Sequence, residues 1–381
     1  KGIKMTGRLF LLTVQFAMLL SGCEMDLSKE NRLSTSKFGE MPDGRDITKY
    51  TITNKSGSSI EVINLGGIIV SINLPDLEGN MGDIVLGYDN VTQYLQESPY
   101  MGAIVGRYAN RIANGKFSID NEEYTLAQNN APNALHGGLE GFDKKVWSAS
   151  PFETNENAGV ILSLISEDGD QGYPGSLKVE VTYTFDDQNQ LTVDYKATTD
   201  KSTVINISQH SYFNLNGHNS GQIGDHEMMI NANHYTPIND TLIPTGEIAR
   251  VENTPMDFRK AKPINEDINT DFKQLEYGLG YDHNWVLNQD EFSQAAKVYA
   301  PKSGRIMEIY TDQPGIQFYS GNFIDGMSYG KDNFAYAKRG GFCLETQHFP
   351  DSPNHKNFPS TLLIPSETFE SKTVFKFSVR Q

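Results

Sequence analysis

Residues 178–196 read K-V-E-V-T-Y-T-F-D-D-Q-N-Q-L-T-V-D-Y-K, and this stretch decides the fold class. Apolar and polar residues alternate on both sides of D-D-Q-N, as they do in strands with one buried face. The apolar positions are Val179, Val181, Tyr183, Phe185, Leu191, Val193 and Tyr195. Because D-D-Q-N is a turn signal between the two runs, the stretch predicts an antiparallel hairpin.

The same alternation continues outward from this hairpin. Near the end of the chain, Phe375, Phe377 and Val379 share one face, and turn clusters recur at short intervals. Helical signals are confined to residues 91–97 and to parts of 265–278, and no 20-to-50-residue repeat is present. The sequence therefore predicts one large all-β domain, with two extended antiparallel sheets packed face to face.

The first residues have the pattern of an export signal. Lys4 and Arg8 precede the apolar run L-F-L-L-T-V-Q-F-A-M-L-L, which ends at S-G-C with Cys23. The tetrad Leu20–Cys23 resembles the lipobox of bacterial lipoproteins, in which the Cys is acylated; a plain signal peptide and a core segment with an incidental Cys are the alternatives. We predict a signal peptide over 1–22, a polar tether over 23–44 and the folded domain over 45–381. Membrane contact is expected only through the lipid anchor.

Composition limits the partners and the redox chemistry. With 32 basic and 48 acidic residues the formal charge is −16, which repels phosphate backbones, so nucleic acid is not an expected partner. Cys343 is the one cysteine besides Cys23, so no intramolecular disulfide forms if Cys23 is lipidated. Cys343 is predicted to be a buried packing residue.

Four polar segments of a kind that strands seldom carry for packing suggest proton-transfer chemistry. They are N-A-L-H-G-G around His136, Q-H-S-Y-F-N-L around His210, Y-D-H-N around Asp282 and C-L-E-T-Q-H-F-P-D-S-P-N around Glu345. Such chemistry needs one base and one acid within reach of a substrate, and a Glu carboxylate and a His imidazole can supply them near neutrality. We expect a nearby carboxylate such as Asp282 to poise His210 as the acid.

Seven motifs, taken in the order in which they occur along the chain, resemble the aldose 1-epimerase, or galactose mutarotase, family. Besides the segments around His136, His210 and Glu345, they are G-R-Y-A-N-R-I, D-G-D-Q-G-Y-P-G, G-Y-D-H-N and Q-P-G-I-Q-F-Y-S-G-N-F. The resemblance implies a large twisted β-sandwich, no cofactor, no metal, and interconversion of the α- and β-anomers of hexoses such as galactose and glucose. It implies that Glu345 is the general base and His210 the general acid. It also places five residues around the monosaccharide: Asn110, Arg111, His136, Asp282 and Gln317.

Four of those five residues have an ordinary structural interpretation as well. Arg111 could form a surface or core ion pair, His136 could lie in a turn, Asp282 could form an Asx-turn, and Gln317 could pair with a backbone amide. The remaining histidines show no H-E-x-x-H or C-x-x-C spacing, which argues against a metal site.

Two other functions remain open. Asp282 and Glu345 could be the carboxylate pair of a glycoside hydrolase. A lipid-anchored sugar-binding protein without catalysis could use the same sandwich, because fold alone does not determine function.

Overall fold

Strands dominate the computed structural model, which describes residues 1–3, 32–96, 98–288, 291–324, 326 and 329–380. Within these residues the strands are β1 Leu33–Glu40, β2 Asp46–Thr53, β3 Ser59–Ile63, β4 Ile69–Pro75, β5 Met81–Asp83, β6 Ile104–Val105, β7 Arg111–Ile112, β8 Lys116–Ile119, β9 Glu122–Thr125, β10 Ala134–Leu135, β11 Ser148–Glu153, β12 Asn157–Ser166, β13 Leu177–Asp186, β14 Gln190–Thr199, β15 Thr203–Val204, β16 Ser208–Gln209, β17 Glu227–Ile230, β18 Ala232–Thr236, β19 Ala249–Arg250, β20 Lys262–Pro263, β21 Asp282–Leu287, β22 Ser293–Tyr299, β23 Arg305–Thr311, β24 Gly315–Tyr319, β25 Cys343–Gln347, β26 Leu362–Leu363 and β27 Phe369–Val379. The α-helices are α1 Val91–Gln96 and α2 Lys273–Gly278, both within segments predicted to carry the helical signals.

The largest sheet has nine strands in the order β11-β12-β13-β14-β27-β23-β22-β17-β20. The predicted hairpin forms its centre, with Val181 opposite Tyr195 in the antiparallel pair of β13 and β14. The turn is closed by Asp186, whose Oδ1 accepts the backbone N–H groups of Gln188 and Gln190 at 2.9 Å each. The hairpin prediction is confirmed, and its alternate residues are buried as expected.

Two five-stranded sheets, β1-β2-β3-β4-β5 and β19-β18-β21-β24-β25, complete the main architecture. The principal hydrophobic core draws on all three sheets, as Ile52, Val181 and Trp285 illustrate. Strand pairs within the sheets are antiparallel throughout the described strands. The all-β antiparallel prediction is therefore confirmed. The predicted number of sheets is wrong, because three larger sheets, not two, pack around a shared apolar interior.

The predicted tether over 23–44 is wrong at its end. Leu33–Glu40 is strand β1, which pairs with β2 from Leu33↔Ile52 to Glu40↔Asp46. Four consecutive residues of β1 are exposed, so the strand lacks the apolar alternation that marks a folded segment. Edge strands can be polar because their backbone hydrogen bonds to one neighbour hold them in place.

The acylation site predicted at Cys23 and the signal peptide lie outside the described residues, apart from residues 1–3. Among the helices that the structure does describe, none has the length and apolar character needed to cross a bilayer.

Candidate active site

Three neighbouring strands bring together Asp282, Gln317 and Glu345. Gln317 on β24 lies opposite Asn284 on β21 and opposite Glu345 on β25. Because side chains two residues apart share a sheet face, Asp282 is a diagonal neighbour of Gln317. Gln317 Nε2 donates to Asp282 Oδ1 at 2.7 Å, so neither an Asx-turn nor a backbone amide is needed to explain the two residues.

His210 approaches Glu345 from a different sheet element. It follows β16, and its backbone N–H donates to the carbonyl of Ala103 at 2.8 Å while its own carbonyl accepts from Gly102 at 3.0 Å. These bonds hold the imidazole with Nε2 3.7 Å from Glu345 Oε1. Only 5% of the His210 side chain and 3% of the Glu345 side chain are exposed. The carboxylate and the imidazole therefore meet in one buried place, although 134 residues of chain separate them.

Asn110, Arg111 and His136 form the opposite wall, through the pair of β7 and β10. The backbone N–H of His136 donates to the Asn110 carbonyl at 3.0 Å, and the Asn110 N–H donates to His136 Nδ1 at 3.1 Å. Asn110 and His136 have φ of 63° and 48°, in the left-handed region that non-glycine residues seldom occupy. A Cβ at Gly137 would collide with the carbonyl of Gly106. That glycine therefore serves close packing of backbone on backbone.

Arg111 faces the Asp282 carboxylate across the site. Its Nη1 lies 3.9 Å from Asp282 Oδ2, and its Nε donates to Asn130 Oδ1 at 3.0 Å. Both members of this pair are buried. Arg111 therefore does form a core ion pair, and that ion pair lies within the candidate site.

These groups line a cavity of about 340 Å³. Asn110, Arg111, His136, His210, Asp282 and Glu345 all line it, whereas Gln317 contributes through Asp282. Sequence reasoning missed the other lining residues, which are Pro99, Tyr100, Asn130, Leu135, Tyr212, Leu242, Tyr319 and Phe323. Leu135, Tyr212, Tyr319 and Phe323 lie inside the motifs quoted above, but their apolar or aromatic character gave no reason to separate them from core residues. Pro99, Tyr100, Asn130 and Leu242 lie outside those motifs. The loop D-G-D-Q-G is not among the lining residues.

Two buried oxygen atoms in the site lack a hydrogen-bond partner among the described residues: Gln317 Oε1 and Glu345 Oε2. A buried acceptor without a partner is costly, by about 1–3 kcal/mol. Because Glu345 lines the cavity, its Oε2 is suited to accept a hydrogen bond from a hydroxyl group of a ligand.

Burial shifts the site's acid–base groups in opposite directions. It raises the pKa of Glu345 well above its ordinary value, and the Asp282 charge adds to this while Arg111 opposes it. Burial lowers the pKa of His210 to about 4 and that of His136 well below its ordinary value. The pKa of Asp282 is raised, because burial outweighs the opposing effects of the Arg111 charge and the Gln317 hydrogen bond.

The expectation that Asp282 poises His210 is not supported by these contacts. The carboxylate that faces the His210 ring is that of Glu345, whereas Asp282 binds Gln317 and faces Arg111. Burial, which disfavours the imidazolium, dominates the pKa of His210.

His136, His210 and Glu345 place one potential ligand atom each within 4.8 Å of one another, which is the arrangement that a metal ion would use. The tautomer of His136 does not fit that role. Because Nδ1 accepts the Asn110 N–H, the proton of the neutral ring lies on Nε2, and neither nitrogen has a free lone pair. The donor set therefore suits a sugar, to which His136 Nε2 can donate, better than a metal.

This chain is similar in sequence and in fold to known proteins. The family model described as aldose 1-epimerase matches residues 48–376. The galactose mutarotase of Sus scrofa is 44% identical over 348 residues, covering 91% of this chain and 99% of that protein. The aldose 1-epimerase of Escherichia coli K12 is 36% identical, covering 88% and 96%. The solved structure of galactose 1-epimerase from Lactobacillus acidophilus NCFM superimposes with a TM-score of 0.82 at 29% identity, covering 92% and 99%. With its fold, its buried carboxylate and imidazole and these relatives in agreement, the chain belongs to the aldose 1-epimerase family.

Proposed function

We propose that this protein interconverts the α- and β-anomers of hexoses such as galactose and glucose by acid–base-catalysed ring opening and reclosure. The observation that carries the proposal is the 3.7 Å approach of Glu345 Oε1 to His210 Nε2 in the wall of one cavity. Glu345 is the general base and His210 the general acid. Galactose mutarotases and an aldose 1-epimerase among the relatives support the same reaction.

The reaction requires two proton transfers and no redox partner. Glu345 removes the proton from the anomeric hydroxyl, whose oxygen then forms the aldehyde C=O bond as the bond between C1 and the ring oxygen breaks. The ring oxygen keeps that electron pair and takes the proton from His210 Nε2. After rotation about the C1–C2 bond, the hydroxyl adds to the other face of the aldehyde and both protons return, so the enzyme is regenerated.

Both pKa shifts strengthen the groups for these roles. A carboxylate with a raised pKa is a stronger base, and an imidazolium with a lowered pKa is a stronger acid. The same shifts reduce the fraction of molecules with Glu345 ionised and His210 protonated at once.

The remaining site residues hold the sugar. Arg111 and Asp282 face one another beside the cavity and can hold adjacent hydroxyl groups, with Gln317 fixing the Asp282 carboxylate. Asn110 and His136 position one another through reciprocal backbone and ring contacts, so His136 can offer Nε2–H to a sugar oxygen. Such positioning contributes to the rate because the reacting atoms are held at reaction distance.

Replacing Glu345 with Gln tests the function. The variant keeps the shape of the side chain but cannot accept the proton, so we expect the turnover of fresh α-galactose to fall by about 10²- to 10⁴-fold. Polarimetry of a freshly dissolved pure anomer measures this rate. Glu276→Gln, which changes an exposed carboxylate on α2, is the control and should leave the rate unchanged. Near-normal turnover of Glu345→Gln would contradict the assignment of the base.

The same preparation separates the rival functions. A sugar-binding protein without catalysis would bind galactose but leave the decay of optical rotation at its spontaneous rate. A glycoside hydrolase would release reducing sugar from an aryl glycoside. Acceleration of anomer interconversion without such release supports the epimerase.

We also propose that the protein is exported and held at a membrane surface by acylation of Cys23. The basis is the tetrad Leu20–Cys23 after a short apolar run. Cys23→Ser should abolish incorporation of labelled fatty acid and release the protein from the membrane fraction. Equal labelling of both forms would contradict the anchor.

A further inference from the structure

We propose that Cys343 is a positioning residue for His210. Its sulfur keeps the proton of the neutral His210 ring on Nδ1, so that Nε2 is the nitrogen that exchanges protons with the sugar. The inference deepens the proposed function and rests on it for the role of His210. The sequence alone indicated only packing for this residue.

Strand β25 contacts both nitrogen atoms of the same imidazole. Cys343 Sγ lies 3.6 Å from His210 Nδ1, and Glu345 Oε1 lies 3.7 Å from His210 Nε2. Because Cys343 and Glu345 are two residues apart on one strand, their side chains leave the same face of the sheet. The rigid strand therefore determines the direction of the ring through contacts at both of its ends.

The acid role of His210 sets a condition on Nδ1. If Nε2 gives its proton to the ring oxygen and later takes it back, then Nδ1 must carry a proton in both states, since neutral imidazole keeps one. A partner at Nδ1 must therefore accept a hydrogen bond throughout the cycle. The Cys343 sulfur can do so, although it is a weak acceptor.

A thiol at this position differs from the carboxylate that orients the histidine of a Ser-His-Asp triad. A carboxylate stabilises the imidazolium and so weakens it as an acid. Burial raises the pKa of the Cys343 thiol well above its ordinary value, which keeps the sulfur neutral. Cys343 thus orients the ring without adding a charge, and His210 remains a strong acid when protonated.

The aromatic rings around His210 leave the tautomer undetermined. Tyr100 and Tyr212 pack against the ring with centroids 5.9 and 5.1 Å away, and the His136 ring approaches at 5.0 Å. Ring packing restricts the plane of an imidazole but does not distinguish its two nitrogens. The groups that differ between the two nitrogens are the sulfur at Nδ1, to which we assign the acceptor role, and the Glu345 carboxylate at Nε2.

Replacing Cys343 with Ala or Val tests the inference, because both remove the acceptor and Val also fills the space. We expect kcat for α-galactose to fall about 10-fold with KM unchanged within about 2-fold, because the chemistry and not the binding depends on the tautomer. Cys343→Ser, which restores an acceptor, should return kcat to within about 3-fold of the parent. Thr346→Ala, a buried change elsewhere on β25, should leave kcat unchanged.

Nitrogen-15 NMR of histidine-labelled protein gives a readout that packing alone would not change. The His210 signals are assigned from their absence in His210→Gln. Nδ1 of His210 should be protonated in the parent protein and in Cys343→Ser, and it should be partly or wholly unprotonated in the Ala and Val variants.

The inference is overturned if His210 in the parent protein is unprotonated at Nδ1, or if the Ala and Val variants keep both the tautomer and kcat. The NMR result stands even if the parent protein fails to accelerate anomer interconversion, in which case the proposed function fails by itself. If one of the two acceptor-free variants does not fold, the other decides.

Discussion

The protonation of Glu345 and His210 determines the pH range over which the proposed reaction can occur. Both side chains are almost fully buried, so the charged form of each is disfavoured. The pair therefore holds one proton over the range between the lowered pKa of His210, about 4, and the raised pKa of Glu345. Below this range the pair takes a second proton, and the proposed base is lost. Above it the pair gives up its one proton, and the proposed acid is lost.

The alkaline limit of the pH profile should respond to the two charges beside Glu345. Asp282 raises the pKa of Glu345, so Asp282→Asn should move the alkaline limb of kcat/KM to lower pH. Arg111 lowers that pKa, so Arg111→Gln should move the limb to higher pH. Rates for α-galactose measured from pH 4 to 10 would show the two shifts. Shifts in the same direction, or none, would contradict the assignment of the proton to this pair.

Strand β1 shows which contacts hold the start of the folded domain. Arg32, just before β1, makes a two-pronged ion pair with Asp187, with both distances at 2.8 Å, and its Nη groups also donate to the carbonyls of Asn155 and Glu156. These contacts join the residue before β1 to the turn between β13 and β14 and to the turn before β12. The strand itself, polar and largely exposed, contributes mainly backbone hydrogen bonds.

Arg32→Ala should therefore lower the free energy of unfolding by about 1–2 kcal/mol, because charge-assisted paired hydrogen bonds are lost at a mostly buried position. Urea unfolding followed by tryptophan fluorescence measures this. Lys37→Ala, which removes exposed ion pairs with Glu40 and Asp46, should change stability by less than about 0.5 kcal/mol. Equal effects of the two substitutions would mean that Arg32 does not anchor the strand.

Strand β1 also marks where sequence-based prediction fails. The β13–β14 hairpin was predictable because burial of one face imposes alternation on the residues. An edge strand with two polar faces carries no such signal, so β1 was assigned to a tether. Within the site, Glu345 and His210 were selected by their motifs, whereas Tyr100 was not. Its position depends on a φ of 65° and on ring contacts with His136 and His210, which are properties of the folded chain.

At the scale of the whole molecule, a buried neutral histidine in the core, His283, supports the backbone of the candidate site. His283 is fully buried, with Nδ1 accepting the backbone N–H of Asp282 and Nε2 facing Gln274 Oε1. A second proton would have to occupy Nδ1, where a donor already points. Burial accordingly lowers the pKa of His283 to about 3. The backbone that presents Asp282 to the cavity is thus held by a neutral imidazole.

This neutral histidine should make stability fall with acidity. Since the folded pKa is below the unfolded value of about 6.5, the unfolded chain takes up the proton first, and stability present above pH 6.5 is lost as pH falls towards 3. The part due to His283 between pH 7 and 5 is about 2 kcal/mol. Buried acids such as Glu345 and Asp143 have raised pKa values and act in the opposite direction, so the net slope of the parent protein does not isolate this effect.

Comparison of variants isolates the contribution of His283. His283→Gln lowers stability at both pH values by its lost packing, but the further loss between pH 7 and 5 should be smaller than in the parent by about 2 kcal/mol, because no group remains to take up the proton. Urea unfolding at the two pH values measures the difference. His234→Gln, a half-buried histidine on β18, provides the baseline for replacing a histidine. If the His283 and His234 variants lose the same stability between the two pH values, a neutral His283 is not what holds Asp282 in place.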